Sequence, residues 1–370
     1  MRVTCVIKAL VCGGAQRNLI RLCDLLSRRG HRVTLLSQRK EEGVDFFPIP
    51  DGVERAEIDP VGLADYRWYD LAGTRRRNRA FRESIAATSP EVVISYLDIC
   101  NVTVLMALAG AGIPVIVSER SDPRFCPIPW RWDWLRRLYY PRATCVVVQT
   151  QAVQAWADTL WPKWKTAVIP NAIFPPSPVA ASAAAKRTSF QLVNVGRLVK
   201  EKRQEHLIVA FAGLANDFPD WKLMIVGEGP QRPQLEAEIR NRGLQDRVSL
   251  PGAVENTAEI LSQSDLFVFS SLFEGFPNAL AEAMACGLPA ISYDCPSGPR
   301  ALIRHGVDGW LVANGVINAL RDAMASLMND ENRRKKFGIR AREVVDRFHP
   351  DKVMDMWEDV LRRVKSEAGR

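Results

Sequence analysis

An α/β protein with two doubly wound parallel-sheet domains is expected from three observations. The chain has 370 residues and is 47% hydrophobic, enough for two domains with sizeable cores. Its first 37 residues run strand, glycine turn, amphipathic helix, strand, which is a βαβ unit. A second series of short apolar runs begins near residue 191, after a stretch that shifts to Pro, Ala and Ser.

In the opening unit Gly13 and Gly14 make the turn, and Leu19, Leu22, Leu25 and Leu26 share one helix face. Further strands are expected over 92–96, 115–118 and 145–149, so this half reads as an open parallel sheet with helices on both faces. The linker falls at 169–186, IPNAIFPPSPVAASAAAK. Beyond it, QLVNVG, WKLMIVGEGP, VSLPGAV and DLFVFS each read as a strand running into a loop. The last helix, 350–365, carries Val353, Met356, Trp357, Val360, Leu361 and Val364 at helical spacing.

The segment 273–289, FEGFPNALAEAMACGLP, carries most of the chemistry. Pro277 and Asn278 suit the first positions of a helix, which Cys286, Gly287 and Pro289 end. Glu274 then lies just before the helix and Glu282 within it. The open N–H groups of a helix start attract phosphate, and the two carboxylates can accept from sugar hydroxyls on either side. Arg197 and Lys202 follow the strand that ends at Gly196, and ligands of open α/β sheets collect at such strand ends, so these two cations are placed to neutralise a diphosphate. The Gly-Glu-Gly-Pro turn at 227–230 allows close backbone approach but lacks the full GxGxxG spacing.

On these residues the stretch 190–312 resembles the nucleotide-binding half of the retaining glycosyltransferases of family 4, which have the GT-B fold of two Rossmann-like domains facing a cleft. Their EX7E motif corresponds to Glu274 and Glu282, their Gly-Arg…Lys set to Gly196, Arg197 and Lys202, and their Gly-x-Gly-Pro turn to Gly227, Gly229 and Pro230. The resemblance implies that Arg197 and Lys202 bind the donor diphosphate, Glu274 the transferred sugar and Glu282 the ribose. It implies backbone contacts to the donor from Phe276, Pro277 (carbonyl only), Asn278, Ala279 and Leu280, and reading of the base at Gly252 to Val254. Gly14 would lie near the donor phosphate, with Arg17 behind it. The run SYDCPSGPR resembles a subgroup that builds bacterial surface glycans and lipid-linked oligosaccharides; Ser297 and Gly298 would then meet the donor sugar, while Cys295 reads as a packed residue. The implied domains are an acceptor-binding 1–172, completed by 350–370, and a nucleotide-sugar-binding 173–349. Where the family has a histidine this chain has Ser118-Glu119-Arg120-Ser121-Asp122, so Glu119 is expected to meet the acceptor hydroxyl and Arg120 an acceptor phosphate, unless the two simply pair with each other.

The activity implied is retaining transfer of a hexose or N-acetylhexosamine from a UDP-sugar to a glycan acceptor, lipid-linked, with no cofactor and no metal. Alternatives are a GDP-mannose-dependent mannosyltransferase, a hydrolase or epimerase of the same donor, and a non-catalytic membrane-associated binding protein. None of the four histidines, His31, His206, His305 and His349, has metal-site spacing.

Charge divides unevenly: 24 basic against 17 acidic residues through Asn171, and 26 against 25 beyond it, for a formal total of +8. The excess gathers at 67–82, with Arg75, Arg76, Arg77, Arg79 and Arg82, and at 124–142, where Trp130, Trp132, Trp134, Tyr139 and Tyr140 mix with arginines. Such mixtures suit an anionic membrane interface. The same pattern also describes an ordinary helix that buries its tryptophans, since Trp130 and Trp134 share a face in either case. No nucleic-acid module accompanies the charge, so nucleic acid is not an expected partner. No run approaches the roughly 20 apolar residues of a membrane span, and the eight cysteines show no CxxC pair. A cytoplasmic protein, peripheral on the inner face of the membrane, is expected.

Overall fold

The computed structural model describes residues 1–11, 13–38, 46–58, 71–162, 165–176, 189–254 and 256–368. Cys12, residues 67–70 of the first basic segment and 177–186 of the expected linker lie outside the described residues. The chain forms two units, Met1–Ala172 with Pro350–Arg370, and Ile173–His349.

The first unit is a seven-stranded sheet of β1 (Arg2–Ile7), β2 (Arg32–Gln38), β3 (Val53–Ile58), β4 (Val92–Tyr96), β5 (Val115–Ser118), β6 (Cys145–Val148) and β7 (Thr166–Val168). The order is β3-β2-β1-β4-β5-β6-β7 and every pairing is parallel. Parallel neighbours need crossover connections, which helices supply, so both faces are covered and the strands read as nearly continuous apolar runs. Alternation then sorts the side chains. Val3, Cys5 and Ile7 meet Leu19, Leu22 and Leu26 of the Gly14–Arg28 helix together with Val353, Trp357 and Leu361 of the last helix, Pro350–Ala368. Val6, Val93 and Val117 face the other way, onto Phe81, Ile85 and Val102. The last helix is also held at the edge of this unit by Arg29 to Asp355 at 3.0 Å and His31 to Glu358 at 2.7 Å.

The second unit repeats the plan with β8 (Phe190–Val195), β9 (Trp221–Val226), β10 (Val248–Gly252), β11 (Leu266–Phe269), β12 (Ala290–Tyr293) and β13 (Gly309–Val312), ordered β10-β9-β8-β11-β12-β13 and parallel throughout. Leu192, Leu223, Leu266 and Ile291 pack on one face, Val193, Phe267 and Ala290 on the other. This unit begins and ends at one place, where the Ile173 N–H donates to the Phe348 carbonyl at 2.9 Å. In each sheet the strand order reverses next to the first strand, between β1 and β4 and between β8 and β11, and in such sheets the crevice at the carboxyl ends of those two strands is the ligand position.

Candidate functional site

The reversal between β8 and β11 brings together Lys202 and Glu274. Lys202 ends a turn of 3-10 helix, Lys200–Lys202, that follows β8; Glu274 lies in the loop after β11. Lys202 Nζ donates to Glu274 Oε1 at 2.5 Å, with both side chains partly buried. The loops carrying them are joined by two further bonds, the Ser270 hydroxyl donating to the Lys202 carbonyl at 2.8 Å and the Leu272 N–H to the Glu201 carbonyl at 3.0 Å. Arg197 instead reaches outward, its side chain 71% exposed and 4.0 Å from Glu201. An exposed guanidinium beside an ammonium held by a carboxylate is a suitable pair for an incoming diphosphate.

Three loops are stitched together behind these cations. The Gly196 N–H donates to the Val226 carbonyl at 3.0 Å, Leu198 to Glu228 at 2.8 Å and Gly227 to Gly252 at 2.8 Å. Gly227 and Gly229 have φ of 146° and 158°, and a Cβ on them would lie 1.9 Å from the Gly196 carbonyl oxygen and 2.3 Å from that of Leu198. The glycines of the Gly-Glu-Gly-Pro turn therefore let one loop backbone lie directly on another, a role that needs no ligand. Gln204, buried, adds a bond from Nε2 to the Arg197 carbonyl at 3.0 Å.

The expected helix is present as Asn278–Ala285, with Glu274 before it and Glu282 within it. Leu280, Ala281, Ala283 and Met284 bury its inner face, and Gly287, at φ 83°, turns the chain away. Its first N–H groups have no acceptor within the helix. Phe276 is a core ring, edge-on to Phe348 at 5.7 Å, so any part it takes in ligand contact is through its backbone. Ala279 and Glu282 are half-buried, and so is Val254 after β10.

Behind Glu274 lies a support that the sequence did not reveal. The Ser297 hydroxyl, 2% exposed, donates to the Glu274 carbonyl, and a Cβ on Gly298 (φ 96°) would meet Pro277 Cδ at 2.8 Å and Glu274 Cβ at 3.0 Å. This turn packs against the glutamate loop, so Ser297 holds Glu274 in place through the backbone. The signal was the Ser-Gly pair just past a strand, but nothing local says which loop it touches. Cys295 is buried; burial, with the Glu274 charge nearby, pushes its thiol up to about 12, and it donates to the Ser297 carbonyl at 3.4 Å. A protonated, buried thiol is a packing group.

In the first unit Gly14 opens the Gly14–Arg28 helix and is exposed, its carbonyl accepting from Asn18 Nδ2 at 2.8 Å, and Arg17 lies half-buried one turn on. Glu119 corrects the sequence expectation. It is 1% exposed, accepts the Tyr140 hydroxyl and lies 3.8 Å from Arg136 Nη1, so it does not meet an acceptor. Nor does it pair with Arg120, whose guanidinium bonds Asn171 and Ser118 and lies 4.6 Å from the Tyr96 ring centroid. Arg120 is thus held inside its own unit at the carboxyl ends of β4 and β5.

Burial pushes the Glu119 carboxyl up to about 7, against the opposing pull of Arg136 and the Tyr140 hydroxyl. An unfolded glutamate titrates near about 4.3. The folded state therefore keeps this proton to higher pH, and the stability it contributes is complete below about 4.3 and lost as pH rises towards about 7. Glu119→Gln should raise the melting temperature more at pH 8 than at pH 5. Scanning calorimetry at the two pH values checks this, and an equal gain at both would assign the titration to another group.

Among the described residues no cluster of three or more His, Cys, Asp or Glu side chains is arranged to hold a metal ion. His31 pairs with Glu358, and His206 Nδ1 lies 3.0 Å from the Tyr293 hydroxyl. No helix, among the described residues, is long and apolar enough to cross a membrane.

Two parallel sheets with charged strand-end loops at the reversal of the second are the architecture of a GT-B protein, and comparison with known proteins establishes the fold and gives the family. The family described as "Glycosyl transferases group 1" matches residues 180–344, and "Glycosyl transferase 4-like domain" matches 13–172. HepE of Anabaena, solved in complex with UDP, superposes with a TM-score of 0.81 over 98% of this chain and 100% of that one, at 20% identity, which shows the shared fold. A Campylobacter jejuni protein named GalNAc-alpha-(1->4)-GalNAc-alpha-(1->3)-diNAcBac-PP-undecaprenol alpha-1,4-N-acetyl-D-galactosaminyltransferase is 25% identical over 99% of both chains. An exopolysaccharide phosphotransferase of Streptomyces coelicolor is 35% identical over 61% of this chain, which spans only 24% of that relative's length. The chain belongs to the glycosyltransferases that join a 4-like domain to a group 1 domain.

Proposed function

We propose that the protein is a retaining, metal-independent glycosyltransferase that moves a hexose or N-acetylhexosamine from a UDP-sugar to a lipid-linked glycan in bacterial surface-glycan assembly, working at the inner face of the membrane. The observation that carries this reading is the Lys202–Glu274 pair at the reversal of the second sheet, beside the exposed Arg197 and the start of the Asn278–Ala285 helix. Lys202, Arg197 and the helix N–H groups stabilise the departing diphosphate, whose charge grows as the glycosidic bond breaks. Glu274, held from behind by Ser297, accepts from hydroxyls of the transferred sugar. Glu282 accepts from the ribose. The acceptor hydroxyl attacks from the leaving-group side and passes its proton to a donor phosphate oxygen, so no protein nucleophile is required. The UDP bound to HepE and the undecaprenol-linked acceptor in the Campylobacter relative's name support the choice of donor and acceptor class.

A thermal-shift series with UDP, GDP and ADP, each with and without EDTA, tests it. A ligand that binds only the folded state stabilises by RT ln(1+[L]/Kd), about 2.7 kcal/mol at a hundredfold excess over Kd. Stabilisation by UDP over GDP and ADP, unchanged by EDTA, is the expected result. A shift with GDP alone would replace the donor by a GDP-sugar, and no shift with any of the three would make the protein a non-catalytic relative.

A further inference from the structure

The outer face of the Trp130–Tyr139 helix carries a row of apolar side chains open to solvent. Trp130 is 72% exposed, Trp134 60% and Leu138 43%. Four-residue spacing puts all three on one face, along about 12 Å of helix. Single exposed apolar residues are ordinary, but two indoles and a leucine in line make a contiguous patch, and such patches mark interaction surfaces.

The charges around the row are predominantly positive, and Glu83 of the Leu71–Ala87 helix is paired with Arg79 at 2.7 Å. Arg131 lies over the Trp130 ring at 4.8 Å, Arg142 over Tyr139 at 4.9 Å, and Arg137 is exposed. Asp133, the one acid in 124–142, is held by Arg136 and Arg137. The Leu71–Ala87 helix brings exposed Arg75, Arg76 and Arg79, and its Arg77 guanidinium sits 5.8 Å from the Trp132 ring, so the two basic helices are neighbours. The inner face is fixed: Arg136, 4% exposed, approaches Glu119 at 3.8 Å, and the adjoining Tyr140 donates to the same carboxylate at the end of β5.

We infer that this row is the docking face for an anionic lipid bilayer, with the helix lying flat, Trp130, Trp134 and Leu138 at the boundary of headgroups and acyl chains, and Arg131 and Arg137 on lipid phosphates. Indole favours that depth and guanidinium pairs with phosphate oxygens. A second copy of the chain fits poorly, because a two-fold contact would set this patch, arginines included, against itself. The tie through Arg136 and Tyr140 to Glu119 holds the 118–122 loop at a fixed height over the lipid surface. A lipid-linked acceptor would reach this unit by diffusing within the lipid surface instead of through water, and only this last step rests on the acceptor proposed above.

Flotation of the whole protein with phosphatidylcholine vesicles, with and without phosphatidylglycerol, tests the face without sugar or nucleotide. Binding that needs phosphatidylglycerol is expected, with the Trp130→Ala/Trp134→Ala variant reducing the partition coefficient on the order of tenfold or more. The Arg131→Gln/Arg137→Gln variant should flatten the dependence on salt. Lipids brominated near the headgroup should quench tryptophan emission of the wild type more than that of the double tryptophan variant. Unchanged melting temperature and UDP response in the variants keep a failed fold, or a failed donor assignment, apart from a failed docking face. Equal vesicle binding by wild type and tryptophan variant would overturn the inference, as would absence of binding at low salt, or a lipid-free dimer that the tryptophan substitutions dissolve.

Discussion

Lys202→Ala should slow glycosyl transfer by roughly 10²- to 10³-fold, the effect of losing one charge-stabilising donor at a leaving group. The ammonium is 2.5 Å from Glu274 and the two loops are already bonded to each other, so the site should keep its shape when the side chain goes. The two side chains are only 20% and 12% exposed, so leaving the Glu274 carboxylate without its ammonium should also lower the unfolding free energy, by about 1–3 kcal/mol. Glu282→Ala should act differently, weakening UDP binding with a smaller effect on the bound-state rate, because its proposed contact with the ribose persists through the reaction. Single-turnover transfer and UDP titration on both variants separate the two effects. Near-wild-type transfer in both would remove this constellation from the chemistry.

Gly227→Ala should cost far more stability than any change of a surface charge. The added Cβ would lie 1.9 Å from the carbonyl oxygen of Gly196, a residue whose N–H already donates to the Val226 carbonyl, and Gly227 itself sits at φ 146°. Overpacking of about 1–3 kcal/mol and backbone strain of similar size together predict a loss of about 2–6 kcal/mol. Gly243→Ala is the control in the same unit. It has φ 66° but nothing within 4 Å of the added atom, so only the strain, about 1–3 kcal/mol, should appear. Denaturant unfolding measures both. Because the displaced atoms adjoin Arg197, UDP affinity should also fall for Gly227→Ala and stay unchanged for Gly243→Ala; equal losses of stability would mean that the loops can separate to admit a methyl group.

The sheets were legible where strands are buried on both faces. RVTCVI, VVISY, LFVF and WKLMIV announce themselves as apolar runs. Four strands escaped notice, of which AISY is buried and interior but only four residues long, directly behind a helix stop, and the other three are marginal. VERAEI is an edge strand with polar residues between its buried ends, TAV spans three residues, and GWLV ends the second sheet half-exposed. At the site, Lys202 and Glu274 were recognisable because each directly follows a strand end in a known pattern. Glu119 also follows a strand end, yet its surroundings are decided by Arg136 and Tyr140, which arrive from a helix that local sequence cannot dock. The Trp130–Tyr139 helix shows the same limit, since periodicity puts Trp130 and Trp134 together but only packing of Trp132 and Arg136 inward decides that they face out.

The meeting of Ile173 with Phe348 makes residues 173–349 an inserted module in a host chain that resumes at Pro350. Both of its junctions are at one point, so it can be cut out, or exchanged for the corresponding piece of a relative, with two neighbouring splices and no stretched connection. Evolution has had the same option. The host could keep its own surfaces while the inserted half was replaced, and such an exchange would require no change in the tryptophan-bearing helix or in the sheet that supports it.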